Sequence, residues 1–333
     1  MTKRPNLFKC ATSELSQDGF FAWLIQWADE SYRGLNEGLV SCAQDFVRYL
    51  ISKQLPSYEK PIIKSVCGRQ WDNIDIWAEI NDEIFIVVED KTYTGEHSNQ
   101  LERYIETADK YCVEKNYTLV CIYLKTGTEA KSFLEQVVEK GFAVVERKDL
   151  LGKFLPYKNK INSDIFSDFV EKIQEQEDRE NSFETELIKD WHWDSWIGFY
   201  RYLESQIDVR GWNYVPNQSG GFMGLWWPYH IWKTAHVYLQ IEKGKLCFKI
   251  GEVYENRKEL RNELHSIIMS NAEKENKHEF IKKPQRFGNG LSMTVAVVNQ
   301  EDWLGPNDAP IDKEKVVNKL KEYEFFLEKC VNV

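Results

Sequence analysis

Residues 71–91 of this chain leave few choices of local structure: Trp-Asp-Asn-Ile-Asp-Ile-Trp-Ala-Glu-Ile, then Asn-Asp-Glu, then Ile-Phe-Ile-Val-Val-Glu-Asp-Lys. Two runs rich in β-branched and aromatic residues flank a short polar turn, which is the pattern of a β-hairpin. If Ile80 faces Ile84 across that turn, Asp75 lies directly opposite Glu89 and Asn73 opposite Lys91. Period-two alternation then puts all four side chains on one face. Two carboxylates with Cβ atoms ~5 Å apart repel by about 3 kcal/mol at an effective dielectric near 20. Their neighbours on that face are Trp77 and Val87, and the other face carries Ile74, Ile76, Ile86 and Val88, so water screens them poorly. Like charges placed this way destabilise a sheet unless something positive sits between them. A divalent cation is the simplest answer, with Lys91 completing the charge balance.

Hard oxygen ligands suit Mg2+ or Mn2+, which polarise a scissile phosphate and help to generate hydroxide. In that chemistry Lys91 orients or deprotonates the attacking water, or stabilises charge developing on the phosphate. Asp90 points to the opposite face, which leaves its backbone carbonyl as the group able to reach the metal. The competing reading is a solvated charged strand in another register. The apolar flanks argue against it.

Ser13 reads as the N-cap of a helix running to about Ala28, with Phe20, Phe21, Leu24, Trp27 and Ala28 on its apolar face. A second helix is expected over 37–50. Strands at 61–67, 71–80 and 84–91 follow, then a loop with Gly95 and a helix over 98–112. A strand (117–124), a helix (128–140), a strand (142–147) and a short helix to Leu155 complete this part. The order is helices, three strands, helix, strand. One more amphipathic helix carries Ile165, Phe166, Phe169, Val170 and Ile173.

These residues resemble a known family. Ile74-Asp75-Ile76 followed by Val87-Val88-Glu89-Asp90-Lys91 is similar to the Asp…Glu-x-Lys signature of the PD-(D/E)XK nuclease superfamily. The element order resembles its restriction-endonuclease-like core. Glu14 to Leu24 is similar to the first-helix motif of a largely uncharacterised bacterial branch, and Gln100 with Tyr104 to the Gln-x-x-x-Tyr motif of RecB-like members. The resemblance implies a metal-dependent nuclease acting on nucleic acid, DNA rather than RNA, in a setting such as restriction or antiphage defence. It assigns Glu14 to the metal site, with Asp18 in reserve, although a carboxylate at a helix N-terminus is also stabilised by the dipole alone. Gln100 and Tyr104 share a helix face and so can meet the substrate backbone or Lys91. Tyr104 also falls on the apolar stripe and suits a core role. The alternative is a catalytically silent protein of the same fold that docks a partner.

The nuclease-like domain is expected over 1–175 and a polar linker over 176–182. A second, aromatic-rich α+β domain follows over 183–333. Its expected role is to select substrate, sense a ligand or form a homodimer. In it, Trp226-Trp227 and Gly220-Gly221 read as core and turn. His192 stands between two tryptophans without a clear role, while Lys277, Lys282, Lys283 and Arg286 form a weak nucleic-acid patch. The net charge of −10 argues against a wholly basic surface but not against a local groove. No run is long and apolar enough for a membrane helix or a signal peptide. Seven scattered cysteines without a Cys-x-x-Cys pair fit reduced cytoplasmic thiols.

Overall fold

The computed structural model describes residues 4–92, 99–217 and 220–332. It divides into two compact units. The first holds residues up to Glu129 with Phe133–Glu177, the second Ala130–Ser132 with Asp178 onward.

In the first unit, a short helix α1 (Leu7–Cys10) precedes α2 (Glu14–Gln26) and α3 (Glu37–Ser52). Ser13 caps α2 by accepting from Ser16 N, and Asn36 caps α3 through Leu39 N. Strands β1 (Ser65–Trp71), β2 (Ile74–Ile80) and β3 (Ile84–Lys91) follow. Next come α4 (Gln100–Lys115), β4 (Thr118–Lys125), α5 (Lys131–Glu139), β5 (Ala143–Glu146), α6 (Arg147–Phe154) and α7 (Asp164–Asn181). The strands form one sheet in the order β1-β2-β3-β4-β5, antiparallel through β3 and parallel beyond it.

Alternation sorts the sheet into two faces. Ile76, Ala78, Ile80, Ile84, Ile86 and Val88 pack with α2, α3, α6 and α7. Phe85, Val87, Cys121 and Tyr123 pack with Leu101, Tyr104 and Ala108 of α4 and with Val137 of α5. This is the restriction-endonuclease-like α/β core expected from the sequence.

Four local expectations need correction. The run over 61–67 and the start of the run over 71–80 are one strand, Ser65–Trp71, closed by a turn at Asp72-Asn73 where both residues have positive φ (48° and 69°). Both values suit a two-residue hairpin turn, for which Asp and Asn are good residues. Asn73 therefore lies in that turn and not opposite Lys91. Ile74, just past the turn, packs with Phe85 and Val87 and not with Ile76, because β2 is not yet paired to β3 there. The polar stretch read as a linker is the end of α7, helical through Asn181. Gly95 and Ser98 lie outside the described residues.

The second unit contains α8 (Trp193–Glu204) and strands β6 (Gly211–Val215), β7 (Phe222–Trp232), β8 (Ala235–Glu242) and β9 (Lys245–Gly251). Helix α9 (Arg257–Lys274), β10 (Ile281–Lys282), β11 (Met293–Val298), α10 (Gln300–Trp303) and α11 (Lys313–Val331) complete it. Its antiparallel sheet runs β10-β11-β9-β8-β7-β6. Val237, Leu239, Ile241, Phe248 and Ile250 bury one face against residues of α8, α9 and α11. Trp227 is fully buried, Gly220 and Gly221 have positive φ, and His192 caps α8 by accepting from Ser195 N. No helix among the described residues is long and apolar enough to cross a membrane.

Candidate active site

The hairpin register is the expected one. Ile80 pairs with Ile84 and each step inward follows, to Ile76 opposite Val88. One step further along stand Asp75 and Glu89. Lys91 Nζ contacts Glu89 Oε1 and lies 4.0 Å from Asp75 Oδ2, so the three side chains converge. Asp75 Oδ2 also accepts from the backbone N–H of Asp90 at 3.2 Å, which fixes its carboxylate against β3.

Glu89 is fully buried, and its Oε2 has no hydrogen-bond partner among the described residues. Burial first, and the Asp75 charge second, push its carboxyl up to about 8. Burial alone would push Lys91 down, but Glu89, Asp75 and Glu14 outweigh it and hold the ammonium charged. Excess negative charge raises both groups; burial adds to it at Glu89 and opposes it at Lys91, and the site takes up a proton when no metal ion is bound.

The stability consequence has a definite sign. The folded-state carboxyl of Glu89 titrates above its ordinary value. Its contribution is therefore fully present below about pH 4.5, the unfolded value, and is lost as pH rises through about 8. In EDTA, the Tm of the chain should fall over that window, and Glu89→Gln should flatten the fall. An equal slope in the variant would refute the assignment.

Glu14 lies at the rim. Its Oε1 accepts from Thr92 N at 2.8 Å, and its charge acts on Lys91 and Asp18. It does not close a cluster with Asp75 and Glu89: no group of three or more His, Cys, Asp or Glu side chains arranged around a cation exists among the described residues. Asp18 is buried on the other face of β3, against the carboxyl of Asp90, so it is no alternative ligand. Burial raises both: Asp18 to about 6, and Asp90 well above its ordinary value as the Asp18 charge adds to the effect. Gln17 Nε2 donates to Asp90 Oδ1 at 2.6 Å, so the Asp90 side chain points away from Glu89, as alternation requires.

Gln100 and Tyr104 meet each other: Gln100 Nε2 donates to the Tyr104 hydroxyl at 2.6 Å, and that hydroxyl donates to the carbonyl of Asn73. Tyr104 is buried in the α4 face, and its hydroxyl pKa is raised by burial and then by the Glu89 charge. Both side chains line a concavity of about 350 Å³ with Asp72, Asn73, Arg103 and Thr107. A larger groove of about 550 Å³, between α3 and α6, contains none of these residues and lacks opposed carboxylates, so the chemistry is assigned to the hairpin.

Sequence reasoning missed Arg103, Gln17, Thr92 and Thr126. Gln17 had a signal: it falls on the buried stripe of α2 with Phe20, Phe21 and Leu24. In the second unit, Lys277 leaves the expected basic patch, because it pairs with Glu322 and sits over the Tyr323 ring. Lys282, Lys283 and Arg286 remain, with Lys283 over Phe287.

The donor set fits a hard divalent ion. Two carboxylates converge, one with a buried oxygen lacking a partner, and Mg2+ is commonly held by one or two carboxylates plus water and substrate phosphate. No curated protein and no solved structure matches the chain. A family model described as the PD-(D/E)XK nuclease superfamily matches residues 5–192, more than half of the sequence. Members of that superfamily are divalent-metal-dependent nucleases. The chain belongs to the PD-(D/E)XK nuclease superfamily.

Proposed function

We propose that the first unit hydrolyses phosphodiester bonds in DNA, with Mg2+ or Mn2+ held by Asp75, Glu89 and the backbone carbonyl of Asp90. The observation that carries this reading is the convergence of Asp75 and Glu89 on Lys91 in a dry part of the sheet. The bound ion supplies Lewis acidity and a water of lowered pKa.

The chain's own groups do the rest. Asp75 is oriented before any ligand arrives, by the Asp90 N–H. Lys91 is held protonated by its acidic neighbours, which favours a role as donor to the attacking water or to the phosphate over a role as base. Glu14 holds the Thr92 amide and so the chain just after Lys91. Gln100 and Arg103 border the concavity beside the hairpin and offer donors to a substrate backbone, while Tyr104, its hydroxyl already donated to Asn73, orients Gln100. We assign the nuclease domain to residues 1–175 and a second domain to 183–333; the boundary between the compact units at Glu177 and Asp178 supports that division. A bacterial, cytoplasmic defence setting fits the resemblance of the first helix.

Purified protein incubated with single- and double-stranded DNA and RNA, in Mg2+, Mn2+ or EDTA, tests the proposal. DNA should be cut only with a metal ion, and Arg103→Ala should raise KM several-fold with little change in kcat, as expected when a phosphate contact is lost. Cleavage confined to RNA, or unaffected by EDTA, would overturn it.

A further inference from the structure

We propose that Gln17 is a positioning residue that sets the catalytic hairpin against the first helix, an inference that rests on the metal-dependent reading above. Gln17 is fully buried on α2, one turn after Glu14. Its amide spans three elements. Nε2 donates to Asp90 Oδ1 on β3 at 2.6 Å, and Oε1 accepts from Thr126 Oγ1, just past β4, at 2.8 Å. Thr126 in turn donates its N–H to the Lys91 carbonyl at 3.1 Å, and its hydroxyl lies 3.4 Å from that of Thr92. Arg147, buried at the start of α6, donates to the Thr126 carbonyl at 2.8 Å and holds this residue from the other side.

Asp90 stands between Glu89 and Lys91, and its side chain points to the opposite face. Fixing the Asp90 carboxyl fixes the peptide planes from which Glu89 and Lys91 project. The same amide sets the rotation of α2, and Glu14 reaches Thr92 N because of that rotation. Gln17 thus touches neither Asp75 nor Glu89 in this network, yet holds the elements that carry both sides of the site. A buried amide with both ends paired is suited to this, because only one arrangement satisfies donor and acceptor together.

The test uses the full chain with Gln17→Met, which keeps volume and removes the amide, and Thr126→Val, which removes the hydroxyl. Gln44→Met is the control: it deletes another buried amide, bonded to the carbonyls of Ala28 and Ile62 away from the hairpin. Three quantities are read: Mn2+ affinity by calorimetry, hydrogen exchange of the Thr92 amide, and cleavage rate against Mn2+ concentration. Gln17→Met should weaken Mn2+ binding and lower kcat by about 10–100-fold, the usual range for groups that support metal ligands. It should also speed Thr92 exchange. Thr126→Val should do the same to a smaller degree, and the double variant should be no worse than Gln17→Met. Gln44→Met should lower Tm and leave Mn2+ affinity unchanged.

If Gln17→Met does not fold, Thr126→Val carries the test. Wild-type Mn2+ affinity and Thr92 protection in the variants would overturn the positioning role and leave the nuclease reading intact. A wild-type protein that neither binds Mn2+ nor cleaves would overturn both.

Discussion

Asp75→Asn and Lys91→Ala should each reduce metal-dependent cleavage by about 10³-fold or more, which is a loss of about 4 kcal/mol of transition-state stabilisation. Their effects on stability should have opposite signs. Asp75→Asn removes one of two opposed carboxylates from a dry site and so relieves the repulsion that raises the Glu89 pKa. The metal-free variant should therefore be more stable than wild type at neutral pH. Lys91→Ala removes the cation from between Asp75 and Glu89 and leaves buried negative charge without its partner. Breaking a buried pair from one side costs about 3–5 kcal/mol; Glu89 can take up a proton, so a value near the lower end is expected. Urea unfolding in EDTA beside a cleavage assay measures both effects. Equal loss of stability in the two variants would mean that the carboxylates are not electrostatically opposed.

Gly127→Ala should damage both fold and activity. A Cβ at Gly127 would stand 1.9 Å from the carbonyl oxygen of Thr92, a backbone atom that cannot move without carrying the end of β3 with it. Overpacking of this kind typically costs 1–3 kcal/mol, and a clash of backbone on both sides puts the expected loss at about 3 kcal/mol or more. Thr92 is also the residue held by Glu14, and Lys91 precedes it. Cleavage should fall at least tenfold in whatever fraction remains folded. Wild-type Tm and activity in this variant would show that β3 and the chain after β4 do not meet as described here.

Much of the site could be read from the sequence, for a specific physical reason. The hairpin register follows from one side-chain period and one turn, and a slip of a single residue would have sent Ile76, Ile86 and Val88 to the wrong face. The turn after Ile80 and the side-chain period therefore fix where Glu89 and Lys91 go. The first helix was legible because Ser13 caps it, which places Glu14 in its first turn.

The rest depends on contacts between residues far apart in sequence. The apolar stripe of α2 marks Gln17 as buried, but nothing local says that it pairs with Asp90 and Thr126. Asn73 was misplaced because the strand was read on from Trp71 to Ile80 through the polar pair Asp72-Asn73, which is a turn with two positive φ values. Glu14 lies at the rim of the site and gives an oxygen to the Thr92 amide, a contact that no spacing rule contains. Lys277 reads as a free cation until α11 brings Glu322 to it.

Anomalous scattering from crystals grown with Mn2+ tests the central claim most directly. A single strong peak bounded by the carboxylates of Asp75 and Glu89, absent in crystals of Asp75→Asn, is the predicted result. A peak at the Asp18–Asp90 pair, or no peak near the hairpin at saturating Mn2+, would contradict it.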